Sequence, residues 1–318
     1  MTRVAFHSTV INERGTVVAI TDYATYNKQL LGNQSIILYN RDYPGTVASA
    51  LERIKKSFDV YSYSTKNELE DIIRNLKIDV LYAIKSGEND GFLSENCKTV
   101  VHSVFRQFDP HGDVYAYVSE WLSNKMTKGK YPFVPHIVSL PETSESLRDQ
   151  LGISKDAIVF GRYGAWETFQ YKPALKVIPS VARKRKDLVF LFMNTAPFCE
   201  PMNNIIHLPM QLEPIAKAKF INSCDAMLHA RKQGETFGLA IGEFSIKNKP
   251  IITNYFCKDR AHIHMLGDKG IYYLTGLHLK LILTRFEPTP TKKWDAFSEK
   301  FNPGEVMKKF HQVFLKNG

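Results

Sequence analysis

Two carboxylates eight positions apart, Glu235 and Glu243, bracket a glycine-containing turn in the run Gly234-Glu235-Thr236-Phe237-Gly238-Leu239-Ala240-Ile241-Gly242-Glu243. An apolar strand pattern precedes the run at Ala226–His229 and another follows at 251–253. Between them the spacing predicts a helix over 237–246, stopped before Pro250. At a helix start the first backbone N–H groups have no intrahelical partner, and the helix dipole adds partial positive charge. The amides of Phe237, Gly238 and Leu239 can therefore donate to a diphosphate, and Gly238 lets a ligand approach the backbone closely. Glu235 precedes that helix, while Glu243 lies more than a turn inside it at about 1.5 Å of rise per residue. One carboxylate can face a sugar while the other accepts hydrogen bonds from a ribose. Spacing alone also fits a surface helix that carries two acids.

Further matches in order along the chain favour the first reading. Glu-Thr-Phe-Gly-Leu followed by Ala-Ile-Gly-Glu resembles the E-x7-E signature, usually E-G-F-G-L-x-x-x-E, of retaining GT-B glycosyltransferases, above all family 4, with Thr236 standing where glycine is usual. Upstream, Ile158-Val159-Phe160-Gly161-Arg162 resembles that family's first strand of the C-terminal domain. The resemblance implies that the Arg162 guanidinium, whose fork of donors matches phosphate oxygens, serves the donor diphosphate. The lysine normally found six residues later is Thr168 here, and the nearest lysine is Lys172. Either a longer loop lets Lys172 substitute or the second cation is absent. Val4-His7 and a loop with Gly15-Thr16, ahead of a helix from near Val18, resemble the first strand and glycine-rich turn, which approaches the donor phosphate or the acceptor. His102 matches a histidine near the reaction centre, and 115–122 matches the last strand and V-S-x-x-L turn before the linker.

The elements that would position these residues alternate between β and α. Strand patterns at 3–7, 35–39, 58–61, 80–83 and 99–102 enclose helical spacings such as Leu69, Ile72, Ile73 and Leu76. A proline-containing, polar stretch from about 127 to 154 interrupts the alternation, which restarts with strands at 157–160, 188–193 and 205–208 and helices at 172–185 and 215–222. The pattern predicts an α/β fold of two Rossmann-like domains facing across a cleft, the GT-B arrangement. Residues 1–145 form the acceptor-side domain. Residues 146–318 form the nucleotide-sugar-binding domain, and its C-terminal helices, patterned by Phe297, Phe301, Val306, Phe310 and Phe314, are expected to return to the first domain.

The 318 residues, 44% of them hydrophobic, are enough for two cores, and the formal charge of +10 calls for anionic company. No secretory signal or 20-residue apolar span is visible, so a cytoplasmic protein is expected, with a peripheral place at an anionic membrane left open. Cys97, Cys199, Cys224 and Cys257 are too scattered for a disulfide framework. The sequence has no Asp-x-Asp pair of the kind that holds a metal against a diphosphate, and His262 and His264 lack a nearby third ligand. No metal or cofactor is expected, then, beyond a UDP- or GDP-linked sugar as donor substrate.

The resemblance implies transfer, with retention, to a hydroxyl on a glycan, glycoconjugate or lipid-linked acceptor. Glu235 would position the donor sugar, Glu243 the ribose, and His102 the sugar or the acceptor. The alternatives are a GT-B epimerase or phosphorylase, or a non-catalytic carbohydrate- or nucleic-acid-binding protein. No recognised nucleic-acid motif accompanies the basic clusters Arg183-Lys184-Arg185-Lys186 and Lys308-Lys309, and aromatic residues are not interleaved with them, so a specific nucleic-acid partner is not expected.

Overall fold

The computed structural model describes residues 1–211, 213–289 and 291–316. The chain divides into two compact units, one of Met1–Ile137 with Lys300–Gly318 and one of Val138–Glu299.

In the first unit, strands β1 (Arg3–Ser8), β2 (Gln34–Asn40), β3 (Asp59–Tyr63), β4 (Val80–Lys85), β5 (Lys98–Ser103) and β6 (Val114–Tyr117) alternate with helices α1 (Gly15–Gln29), α2 (Ala48–Lys55) and α3 (Lys66–Asn75). Helix α4 (Glu120–Thr127) follows β6. The strands pair in parallel in the order β3-β2-β1-β4-β5-β6. Parallel pairing needs a crossover between neighbours, which α1, α2 and α3 supply as far as β4 and irregular segments supply from β4 to β5 and β6. A sheet covered on both faces reads as continuous apolar runs such as Val-Leu-Tyr-Ala-Ile in β4. Thr65 and Ser119 cap α3 and α4 by accepting from the Glu68 and Leu122 amides, each worth about 1 kcal/mol.

The second unit repeats the plan with β7 (Ile158–Tyr163), α5 (Lys172–Lys184), β8 (Leu188–Met193), β9 (Ile205–Leu208), α6 (Pro214–Asn222) and β10 (Ala226–His229). It continues through β11 (Gly234–Glu235), α7 (Leu239–Ile246), β12 (Ile251–Asn254), β13 (Asp259–Arg260), α8 (Ala261–Leu266), β14 (Gly270–Tyr273) and α9 (Gly276–Arg285). Its main sheet runs β14-β12-β10-β7-β8-β9, again parallel throughout, while β11 and β13 pair separately. Counted within each unit, both sheets have the strand order 3-2-1-4-5-6 of the Rossmann fold. Its topological switch point falls between β1 and β4 in one unit and between β7 and β10 in the other. In open α/β sheets ligands bind outside the carboxyl ends of the strands at that point.

After α10 (Ser298–Phe301), helix α11 (Pro303–Phe310) joins the first unit, where Phe310 stacks on Tyr23 of α1 with ring centroids 5.1 Å apart. Three local expectations need adjusting. Helix α1 begins at Gly15, three residues before the expected Val18. Helix α7 begins at Leu239 because Gly238, at φ +97°, is its N-cap, so Thr236 and Phe237 precede the helix. His262 and His264, which the pattern puts in the loop region after the 251–253 strand, lie on α8.

Candidate functional site

The switch point of the second unit gathers most of the expected site residues. Arg162 is the penultimate residue of β7 and 5% exposed. One guanidinium nitrogen donates to the Asn194 carbonyl (3.2 Å) and the Thr195 hydroxyl, the other to the Ala165 carbonyl (3.0 Å) and the Thr168 hydroxyl (2.5 Å). Burial lowers its pKa to about 10, against the favourable charge of Glu235. Arg162 thus ties the loop after β7 to the end of β8. The residue where a second cation was sought, Thr168, is one of its hydrogen-bond acceptors. Lys172 stands exposed at the first position of α5.

Glu235 is held by its own segment. Arg231, four residues earlier, donates to one carboxylate oxygen at 2.7 Å, and Nε2 of His229 lies 3.3 Å from the other. Burial alone would raise the carboxyl's pKa, but the His229 hydrogen bond and the Arg231 charge hold it below the usual range. Behind this pair His229 Nδ1 contacts the Thr253 hydroxyl (2.8 Å), which in turn contacts His262 Nε2 (3.2 Å). Burial pushes the His262 imidazole down to about 3, so it is neutral at ordinary pH.

The turn that presents Glu235 depends on Gly234. Its φ is +80°, and a Cβ there would lie 2.0 Å from the Asp259 carbonyl oxygen. Glycine is the residue that tolerates both conditions.

Glu243, 5% exposed on α7, accepts from the Tyr163 hydroxyl through one oxygen and lies 3.3 Å from Lys217 of α6 through the other. The Tyr163 hydroxyl is pushed well above its ordinary pKa by burial and by the Glu243 charge, so it remains a donor. The Gly242 amide already bonds the Gly238 carbonyl (3.0 Å), and no side chain caps the helix. The first-turn amides that lack an intrahelical partner therefore belong to Leu239, Ala240 and Ile241, two residues on from the set expected.

The first unit treats its switch point differently. Gly15 and Thr16 open α1, which no side chain caps. His102, at the end of β5, is fully buried, with Nδ1 at 2.6 Å from the Tyr82 hydroxyl and Nε2 at 2.9 Å from the Val134 carbonyl. Burial lowers its pKa to about 4. His136 and Phe314 pack against its ring with centroids 5.8 and 5.4 Å away.

Arg231, Lys217, His229 and Tyr163 were not among the expected site residues. Only Arg231 left a local trace, a cation four residues before Glu235. The others meet the glutamates through folding. Among the described residues no group of three or more His, Cys, Asp or Glu side chains could hold a metal ion. No described helix is long and apolar enough to cross a membrane.

No protein-family model matches the sequence, and no curated protein matches it at a significant level. Solved structures do match in shape. A glycosyltransferase from Rickettsia africae aligns at a TM-score of 0.71 and 13% identity, covering 100% of this chain and 99% of its own. Anabaena Alr3699/HepE, solved with UDP and glucose, aligns at 0.70 and 13%, covering all of both chains. The fold is that of the GT-B glycosyltransferases. The GT-B fold also serves other chemistry. A putative UDP-N-acetylglucosamine 2-epimerase from Listeria monocytogenes aligns at 0.60 and 11% identity, covering 98% of this chain and 96% of its own.

Proposed function

We propose that the chain is a retaining glycosyltransferase that takes a nucleotide diphosphate sugar at the switch point of the second unit. The observation that carries this reading is the convergence of Glu235 with Arg231 and of Glu243 with Lys217 beside the uncapped start of α7, at the carboxyl ends of a Rossmann sheet. Paired carboxylates and cations suit a ligand with both sugar hydroxyls and phosphate oxygens. Glu235 accepts from hydroxyls of the donor sugar, and Glu243 accepts from the ribose. The Leu239, Ala240 and Ile241 amides and the Arg231 guanidinium bind the diphosphate, while Arg162 fixes the loop floor beneath it. Lys172 is an outlying cation of α5, and the Gly15-Thr16 amides offer an anion contact on the first unit. His102, neutral and bonded at both nitrogens, organises the interior of that unit.

In the reaction the bond between the anomeric carbon and the diphosphate oxygen breaks, and the acceptor hydroxyl oxygen bonds to that carbon on the same face. The hydroxyl proton passes to a diphosphate oxygen. Amide and guanidinium donors are matched to the charge that develops on the leaving group, the kind of stabilisation that dominates many enzymatic rate enhancements. No protein nucleophile or resident cofactor is needed in this scheme. The fitting acceptors are hydroxyls of a glycan, a glycoconjugate or a lipid-linked saccharide.

Thermal unfolding in the presence of UDP, GDP and their sugars tests the donor assignment, because a ligand specific for the native state stabilises it by mass action. One nucleotide series should raise the midpoint in the wild type and not in Glu243→Gln. Absence of any response overturns the reading. Conversion of the bound nucleotide sugar without an acceptor would assign the site to an epimerase instead.

A further inference from the structure

Helices α5 and α9 lie side by side in the second unit, with Gly276 of α9 close to Pro173 and Val177 of α5. Their outer surface is unusual in two respects. It carries exposed leucines, Leu277 at 78% and both Leu274 and Leu281 at 44%. It also contains a shallow groove of about 440 Å³, lined by Pro173, Val177 and Leu277 and by Lys172, Lys176 and Lys280. Neither helix contains an acidic residue, and these three lysines have no carboxylate partner among the described residues. The basic character continues to the end of α5 with Arg183 and Lys184.

We propose that the α5–α9 face docks on an anionic lipid bilayer surface. Leu277 and Leu281 are one helical turn apart and project together, the spacing with which a helix lying on a membrane inserts apolar side chains beneath the headgroups. Lysine stems lie along apolar surface while their ammonium groups reach outward to lipid phosphates and carboxylates. A twofold pairing of this face with a second copy would set lysine against lysine and leave the charge uncompensated. A single-stranded nucleic acid would call for stacking aromatics, which neither helix supplies.

Co-sedimentation of the full chain with vesicles tests the proposal without a nucleotide sugar, so its outcome is independent of the donor-site reading. The chain should partition onto phosphatidylcholine vesicles containing roughly a third phosphatidylserine and not onto pure phosphatidylcholine, with binding lost as salt rises. Lys176→Glu with Lys280→Glu should weaken partition by more than about tenfold, since each basic residue near such a surface contributes roughly fivefold. Leu277→Ser with Leu281→Ser should weaken it too while leaving the unfolding midpoint in place, because both side chains are exposed. Undiminished binding by either variant, or equal binding to neutral vesicles, overturns the proposal. A chain that ignores vesicles but dimerises through Leu277 assigns the face to a second copy.

Discussion

The two units share one strand order but place different side chains at the carboxyl ends of their sheets. In the first unit, His7 meets the Tyr63 hydroxyl at 2.7 Å and stacks on Phe92, while His102 is bonded to Tyr82 and Val134 among aromatic rings. Burial pushes His7 down to about 3 and His102 to about 4, and holds His136 well below its ordinary value. In the second unit Arg162 takes the place on β7 that His7 takes on β1, and ionised pairs lie nearby, Arg231 with Glu235 and Lys217 with Glu243. The first unit also carries a charge pair at the end of β4, Lys85 with Asp90, whose charges act on His7, so the contrast lies in its buried neutral histidines against the second unit's buried arginine and paired glutamates.

The largest expected effect breaks the comparison directly. Glu235→Gln keeps the volume and removes the charge, so glycosyl transfer should fall by about 10²–10³, the usual loss for one well-placed polar contact in a transition state. Its unfolding midpoint should stay close to wild type. His102→Ala should do the reverse. It opens a cavity and strips partners from the Tyr82 hydroxyl and Val134 carbonyl, costing about 2–4 kcal/mol in denaturant unfolding. At temperatures where it remains folded, kcat should be nearly unchanged. A folded His102→Ala protein with kcat down a hundredfold would overturn the division between the two units.

The histidines add a pH dependence. A buried imidazole kept neutral in the native state binds fewer protons than its unfolded counterpart below pH 6.5. Stability therefore falls as pH drops through that window, by up to about 1.4 kcal/mol per pH unit for each group. The first unit has His7, His102 and His136 in this condition, and the second has His262. Glu235, with its pKa lowered, keeps its ion pair until pH falls below the ordinary glutamate value near 4.5. Between pH 6.5 and 4.5 the first unit should lose hydrogen-exchange protection sooner. Earlier loss in β7, β8 and β10 would contradict the assignment of charge states.

Much of this architecture could be read along the chain, because parallel strands covered on both faces write themselves as apolar runs. Leu188–Met193, Ile205–Leu208 and Ala226–His229 stand where the pattern placed them. The start of α7 was misplaced for a physical reason. Leu-Ala-Ile-Gly-Glu-Phe-Ser-Ile is apolar on nearly every side, so periodicity does not mark its beginning, and the left-handed backbone of Gly238 does. Glu235 and Glu243 were visible as a spacing. Their partners were not, since Tyr163 and Lys217 lie 80 and 26 residues from Glu243 in sequence. Arg162 was visible as a cation at a strand end, but its four acceptors come from two segments, the loop after β7 and the end of β8, that only folding assembles.

The smallest expected effect concerns the buried polar chain that leads into Glu235 from behind. Thr253 is fully buried at the end of β12, and its hydroxyl stands between His229 and His262. Thr253→Val conserves shape and leaves both ring nitrogens without that partner, a loss of about 1–3 kcal/mol in unfolding. His229 would then be free to turn, and Glu235 would keep Arg231 but lose its second anchor. Transfer should fall by about tenfold, less than for loss of the Glu235 charge itself, and Thr253→Ser should restore most of it by returning the hydroxyl. If Val and Ser variants turn over alike, Glu235 is oriented by Arg231 alone, and the histidine–threonine chain is neutral packing of the kind found around His102 in the other unit.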